Sequence, residues 1–360
     1  NMSGTCAITN TTLTHTSGGG DDNLNLQTTA GTLNLTISGG GATGVNGGVN
    51  QVGSGYLFGI RGTSNATITF NNASSTNNFS GGIVADAFDT ATMALTVTNS
   101  ISSGNNDQLS VSAGDSSNVD VNATGNTLAS VTAGASGIGD FVVLSLTGSA
   151  FDNGFTLDAR IQNNMITTAN GVLADGIVIF NAGGGQMNSV ISGNTISYAG
   201  TQRTMLMQTG QDGAGSINST ITGNNIDIQL DGTGNGSGFL IQSGITSPTG
   251  DGSSICADIG GAGALRNTFT HSLGGTIAAG DIRVRQRNNG TARLPGFGGP
   301  ATNTANVVTY LDGRNTVVST STATFDTTGF AGGAACTQPN PFAPPIDTDL
   351  QKASNGSEAA

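Results

Sequence analysis

Three observations predict an all-β chain wound as a parallel β-helix. The first is a phrase said three times, Ile161-Gln-Asn-Asn164-Met-Ile166, Ile191-Ser-Gly-Asn194-Thr-Ile196 and Ile221-Thr-Gly-Asn224-Asn-Ile226, each copy starting thirty residues after the last. Self-similarity at a fixed period of about 20 to 50 residues marks an array in which one unit stacks on the next. The second is rotation: runs of large apolars such as Tyr56–Ile60, Phe141–Leu146, Gly176–Phe180, Thr204–Met207 and Gly238–Ile241 alternate with the Asn-centred phrase or its looser versions. Two strand types passing in turn describe a coil that meets the same faces again and again, with inward aliphatics forming a continuous stack. The third is the absence of helix formers: the only Lys (Lys352) and the only Glu (Glu358) lie in the final stretch. Both are residues that strands disfavour, so the body reads as almost wholly β.

Length and composition agree with one long body. A chain of 360 residues would ordinarily suggest two domains, but a repeat array grows in one dimension and needs no boundary. The 58 glycines read as turns, because short alternating aliphatic runs are not sustained by disordered segments. A net charge of −12 argues against nucleic acid or an anionic membrane as a partner of a broad basic surface. No apolar run approaches the length of a spanning helix, so no membrane insertion is expected. No signal peptide is present, and a chain that opens on Asn1 reads as a processed product or a fragment of something longer.

Residues 1–275 are read as the coils. Thr9 to Leu35 supplies short alternating strands between glycine turns, and the looser phrases Ala123-Thr-Gly-Asn126-Thr-Leu128 and Arg266-Asn267-Thr-Phe269 extend the array in both directions. The longer gaps before Asn164 and Asn267 read as loop insertions at about 130–140 and 243–253. The repeated Asn has a physical reason. At a sharp bend its amide can donate to the equivalent Asn of one neighbouring coil and accept from the other, which predicts a buried ladder of Asn126, Asn164, Asn194, Asn224 and Asn267.

Residues 276–338 are read as a C-terminal cap. Asp281–Arg287 is a last strand with Ile282, Val284 and Gln286 on one face and Arg283, Arg285 and Arg287 on the other. Ala305–Arg314 is the one helical stretch: Thr304 is the expected N-cap, Val307, Val308 and Leu311 make the apolar stripe, and Gly313 with Asn315 ends it. Residues 339–360, with Pro339, Pro341, Pro344 and Pro345, read as an extended tail or linker. Of the three cysteines, Cys256 and Cys336 are expected to pair and pin the cap, because both lie in the C-terminal third while Cys6 is a helix length away. Cys6 is then free or paired with another chain.

The coil phrase, taken with the ending Ile282-Arg-Val-Arg-Gln-Arg287, Leu294-Pro-Gly, Val307-Val-Thr-Tyr-Leu-Asp-Gly-Arg-Asn315 and Gly332-Gly-Ala-Ala-Cys336-Thr-Gln-Pro, resembles the C-terminal part of large secreted β-strand-repeat proteins of Gram-negative bacteria. The likeness covers roughly residues 100 to 340. It implies a pectin-lyase-like coil, a surface adhesin or extracellular structural role, and no defined catalytic residues. With the handedness preference of parallel crossovers it also implies a right-handed coil. The chain departs from autotransporter relatives of that group in carrying no membrane-barrel segment.

Many parallel β-helices are polysaccharide lyases or hydrolases, so carbohydrate chemistry is the competing expectation. Glycoside hydrolysis needs two carboxylates facing one cleft, and lyase chemistry needs calcium-binding acids beside a base. Asp21-Asp22 reads as a turn, while Asp152, Asp158 and Asp175 near Arg160 could converge only if the coils bring them together. Platforms for sugar rings are scarce: there is no Trp and only Tyr56, Tyr198 and Tyr310. His15 and His271 each read as isolated surface residues, and no Ser, His and Asp set or sulfur-rich metal site is present. No cofactor is expected. Calcium could sit only on Asp-rich turns such as 104–107 and 114–118, where solvated turns are the ordinary outcome. Thr-x-Thr pairs such as Thr67-Ile-Thr69 and Thr96-Val-Thr98 are read as outward halves of different strands, without the register a flat ice-binding array needs.

The sequence therefore reads as a non-enzymatic extracellular or cell-surface structural protein, a fibre or adhesin segment. Competing readings are a carbohydrate-active enzyme and a non-assembling adhesin that binds cell-surface glycan. Homo-oligomers are expected to form head to tail, with the tail 339–360, or the cap bearing Arg283, Arg285 and Arg287, of one subunit meeting the acidic coils around Asp21 and Asp22 of the next.

Overall fold

The structure is a computed structural model and describes residues 4–14, 22–44, 53–78, 80–130, 141–148, 154–169, 174–210, 214–229, 237–245 and 252–340. Within them the chain winds into a parallel β-solenoid with three walls. Sheet I has 11 strands, from Gly4–Thr9 to Phe330–Ala331; sheet II has 9, from Thr12–Thr14 to Thr268–Thr270; sheet III has 10, from Leu24–Thr28 to Thr322–Phe325. Every strand pairs parallel with its copy in the next coil, as in Thr156–Gln162 on Gln186–Ser192 on Ser216–Thr222.

Two expected strand types are thus three. The Asn-centred phrase is a corner: Ile161 closes the sheet I strand Thr156–Gln162, and Ile166 belongs to the sheet II strand Met165–Thr168. Sheet II strands are only three or four residues long, too short for alternation to announce them. The residue before four of the ladder asparagines is left-handed, with φ of 70° at Gly125, 55° at Asn163, 66° at Gly193 and 65° at Gly223, whereas Arg266 before Asn267 is extended at −65°. Glycine and asparagine tolerate that region best, which is why those four copies carry only Gly or Asn there.

The interior is a stack of like on like. Ile161, Ile191, Ile221 and Ile259 are in register in sheet I. Ile166, Ile196, Ile226 and Phe269 follow in sheet II, and Leu144, Ile177, Met205, Phe239 and Ile282 in sheet III. All thirteen are buried in one continuous cluster. Burying an aliphatic side chain contributes about 1.5 to 3 kcal/mol, so this stack is the main source of stability.

The coil does not stop at residue 276. Ile282–Gln286 and Thr322–Phe325 continue sheet III, and Thr291–Arg293 and Phe330–Ala331 continue sheet I. The helix Thr304–Arg314 is inserted into this final coil, and Val307 and Leu311 join the interior cluster, which closes it. Its N-cap is Asn303, whose side chain accepts from the Asn306 N–H, rather than Thr304. The short Asn side chain reaches the first turn from one residue further back. At the opposite end Cys6, Ile8, Leu13, Leu24 and Leu26 of the first coil pack on the interior but stay partly open. The insertions expected near 130–140 and 243–253 fall largely outside the described residues, as does the tail beyond Asn340.

Candidate functional site

With the interior filled by its own side chains, the outward faces of the walls are what the molecule offers to others. Inside the corner between sheets I and II, the five expected asparagines form one file, each in contact with the next. The Nδ2 of Asn164 donates to Asn194 Oδ1 at 3.0 Å and to the Ala123 carbonyl at 2.9 Å, and the same two bonds recur at Asn126, Asn194 and Asn224. Each Oδ1 also accepts a backbone N–H from the preceding rung, so both donors and both acceptor directions of Asn164, Asn194 and Asn224 are satisfied. A sixth rung, Asn315, receives Asn267 Nδ2 at 2.9 Å and returns its own amide to the Leu311 carbonyl. Asn315 is the C-cap of the helix, so the ladder ties the closing element to the coils. A second, shorter file joins Asn78 to Asn105 at 3.0 Å. These asparagines are architectural.

On the outside of sheet I the same register builds a second file, in which Asp120, Asp158, Asn188, Asn218 and Cys256 lie one above another. Asn218 Nδ2 donates to Asn188 Oδ1 at 3.0 Å, and Asn188 Nδ2 donates to Asp158 Oδ1 at 2.7 Å. This chain of amides ends on a carboxylate with no exposed surface. What covers it is the segment following the last strand. Cys336 is bonded to Cys256, Gln338 Nε2 donates to Thr220 Oγ1 at 2.8 Å, Arg160 Nη2 donates to the Pro339 carbonyl at 3.1 Å, and the Asn340 N–H donates to Asp158 Oδ2 at 2.9 Å. Residues 336–340 are therefore a strap lying across the strands. Pro339 and Asn340, expected to begin a free tail, are held to the wall.

The bed reads a peptide backbone, a guanidinium taking a carbonyl and a carboxylate taking an N–H. Two carboxylates and an arginine do meet here, Asp120 beside Asp158 in register with Arg160 two residues on. Asp158 has no open surface, however, and cannot face a substrate from beneath the strap. Burial first, and then the charge of Asp158, raise the Asp120 carboxyl against the opposing pull of Arg160. The folded chain thus binds that proton more tightly than the unfolded one, and the stability tied to it is lost as pH rises through the raised folded value. Asp120→Asn is expected to be more stable than the native chain at neutral pH, with the two urea midpoints converging as pH falls below the carboxylate range.

The other candidates are separate. Asp175 lies on sheet III in a two-pronged pair with Arg203 at 2.8 and 2.9 Å, away from Asp158; Asp152 falls outside the described residues. His271 is not on the surface: its side chain is 2% exposed, Nε2 lies 2.8 Å from Asp281 Oδ1, and Nδ1 lies 3.0 Å from the Gly275 carbonyl. Asp281 Oδ2 accepts the Val318 and Ser319 N–H groups, so this pair pins two loops of the final coil together. His15 and Asp21 lie outside the described residues. Asp22 is a turn acceptor, taking the Ser54 N–H at 2.7 Å and the Asn25 amide at 2.8 Å. Arg283, Arg285 and Arg287 project sideways from Ile282–Gln286 and its end, a strand flanked on both sides in sheet III, with Arg285 on Gln242 and Arg287 on Asp326. They do not point along the axis, which is the direction an end-on contact with Asp21 and Asp22 requires.

Turn aspartates also hold backbone: Asp89 accepts the Gly62 N–H at 2.7 Å and Asp115 the Asp89 N–H at 2.8 Å. Among the described residues no group of three or more His, Cys, Asp or Glu side chains is placed to hold a metal ion. The Thr pairs are partly in register after all. Thr36, Thr69 and Thr96 form one outward column, which Asn122, Arg160 and Val190 then continue, so three rungs do not make a flat array.

Sequence reasoning found the ladder and the disulfide but missed the outward file. Its signal was present: Asp120, Asp158, Asn188 and Asn218 each stand six residues before a ladder Asn. Searches of protein-family models, curated proteins and solved structures return no match for this chain.

Proposed function

We propose that this protein is an extracellular structural protein, a rigid segment of a bacterial surface fibre or adhesin. The observation that carries this reading is where its polar chemistry goes. Ladder asparagines, turn aspartates and the Asp158 carboxylate are all engaged in holding backbone, an economy suited to a rod and poor in groups poised over a substrate. A disulfide closing 80 residues supports an oxidising compartment, where such bridges persist.

Assembly along the axis belongs to the same reading: all three sheets are parallel and run unbroken from coil to coil, so a coil of another copy can add to them as each coil adds to the last. Negative-stain electron microscopy and sedimentation at rising concentration test it: axial multiples of the single rod are expected. Single rods at every concentration would overturn the assembly.

A further inference from the structure

Of the nine arginines in the chain, three crowd into one strand end, Arg283, Arg285 and Arg287. The other six are occupied. Arg203 and Arg314 pair with Asp175 and Asp258, Arg160, Arg266 and Arg293 hold backbone carbonyls, and Arg61 lies over the Phe88 ring. The three are poorly engaged by comparison. Among the described residues Arg283 has no side-chain partner, Arg285 reaches only the Gln242 amide oxygen at 3.3 Å, and Arg287 reaches Asp326 at 3.4 Å.

Their surroundings do not neutralise them. On the outside of sheet III Arg283 stands between Leu240 and Thr322, and Arg285 between Gln242 and Thr324, so the flanking strands offer no carboxylate. Leu206 and Gln208, one strand further, are uncharged as well. Among the described residues Asp326 is thus the one carboxylate in contact with three guanidinium groups. The Nε atoms of Arg285 and Arg287 are shielded from solvent and lack an acceptor. Burial first, and the charge of Arg287 second, depress the Arg283 guanidinium below the ordinary arginine range. Like charges held together and left short of acceptors work against folding, and such clusters mark places where a protein meets something outside itself.

We infer that Arg283, Arg285 and Arg287 form the anion site for a sulfated polysaccharide lying along the outside of sheet III. The inference rests on the surface role proposed above and names its partner. Three guanidinium groups present more donors than the two oxygens of a carboxylate can use, whereas a sulfate ester turns three oxygens outward under one negative charge. The rest of the strip suits a sugar chain. From Arg285 the same outward column runs through Gln242 and Gln208 to Phe180, three strand spacings or about 14 Å. Phe180 is half-buried and stands outside the interior cluster, so its ring is a platform for the apolar face of a sugar. Gln208 and Thr324, on either side of the arginines, have no side-chain hydrogen bond among the described residues and can take sugar hydroxyls. A net charge of −12 repels a uniform polyanion such as duplex nucleic acid, while a polysaccharide spaces its anions along a neutral body.

Calorimetric titration of the full chain with chondroitin sulfate, and with the same polymer chemically desulfated, tests this. The sulfated polymer should bind at least about tenfold more tightly, and added salt should weaken it. Changing all three residues, Arg283→Gln, Arg285→Gln and Arg287→Gln, should abolish that preference. Arg61→Gln, which removes the same charge elsewhere, should leave it intact. Phe180→Ala should weaken the sulfated polymer without changing its salt dependence, because the ring meets sugar and not sulfate. Relief of like-charge repulsion means that Arg283→Gln should melt no lower than the native chain, so lost binding is not lost folding. Equal affinity for the two polymers, or none for either, would overturn the inference. So would a triple variant that still prefers the sulfated polymer, an equal loss in Arg61→Gln, or a Phe180→Ala chain that binds as the native one does. Should the triple variant fail to fold, Arg283→Gln alone is read, and unchanged affinity there overturns the inference equally. Sedimentation keeps the two readings apart: axial multiples in a native chain that ignores the sulfated polymer would leave the fibre standing and remove only this partner.

Discussion

Replacing Asn194 by Leu is expected to remove about 4 kcal/mol or more from the stability of the coils around it. Four hydrogen bonds meet at this side chain. Asn164 loses the acceptor for both its backbone N–H and its Nδ2, Asn224 Oδ1 loses one of its two donors while keeping the Asn194 backbone N–H, and the Ile161 carbonyl loses one. All are fully or nearly fully buried, so water cannot replace what is lost, and each stranded group costs about 1 to 3 kcal/mol. The apolar gain of a leucine does not offset several such groups. Asn126→Ser should cost less, because the rung before it is already Ser100, whose N–H donates to Asn126 Oδ1 at 2.9 Å and whose Oγ accepts the Ala73 N–H. Chemical denaturation of both variants checks the order; equal midpoints for Asn194→Leu and the native chain would mean that the ladder is not a buried network.

How much of this could be read from sequence depended on how often a feature recurs in unchanged form. The Asn ladder announces itself because the interior on both sides of it is aliphatic in every coil, which fixes Ile-x-x-Asn-x-Ile as a phrase. Asn315 serves the same role after a helix, with no flanking Ile, and periodicity cannot find it. The second-sheet strands were invisible because three residues expose one inward side chain and hence no alternation. His271 looked exposed among Thr and Ser; its burial comes from Asp281, ten residues away and held by the fold of the final coil. The strap bed was half legible. Asp, Asn and Cys succeed one another on its rungs, and an outward file varies freely in side-chain type because only its shape and hydrogen bonds are used.

The same one-dimensional logic decides where loss of the disulfide will be felt. Cys256 and Cys336 close a loop of 80 residues, which in the chain-entropy account adds about 4 kcal/mol to the coils it encloses. Those coils hold the last sheet strands, the helix Thr304–Arg314 and the His271–Asp281 pin, while the rest of the rod lies outside the loop. Since each coil contacts only its neighbours, Cys336→Ser is expected to split unfolding into two steps. The C-terminal coils should melt first, and the central coils around Asn164 to Asn224 should melt at their native temperature. The strap should loosen even before that, because without the bridge its anchors on sheet I are Gln338 to Thr220, Arg160 to Pro339 and Asn340 to Asp158. Asp158 would then meet water, and the amide of Asn340 should lose its exchange protection while those of Ile191 and Ile221 keep theirs. Adding reductant to the native chain should reproduce both effects. A single melting transition for Cys336→Ser at the native temperature, with Asn340 still protected, would show that the final coil and its strap stand without the bridge.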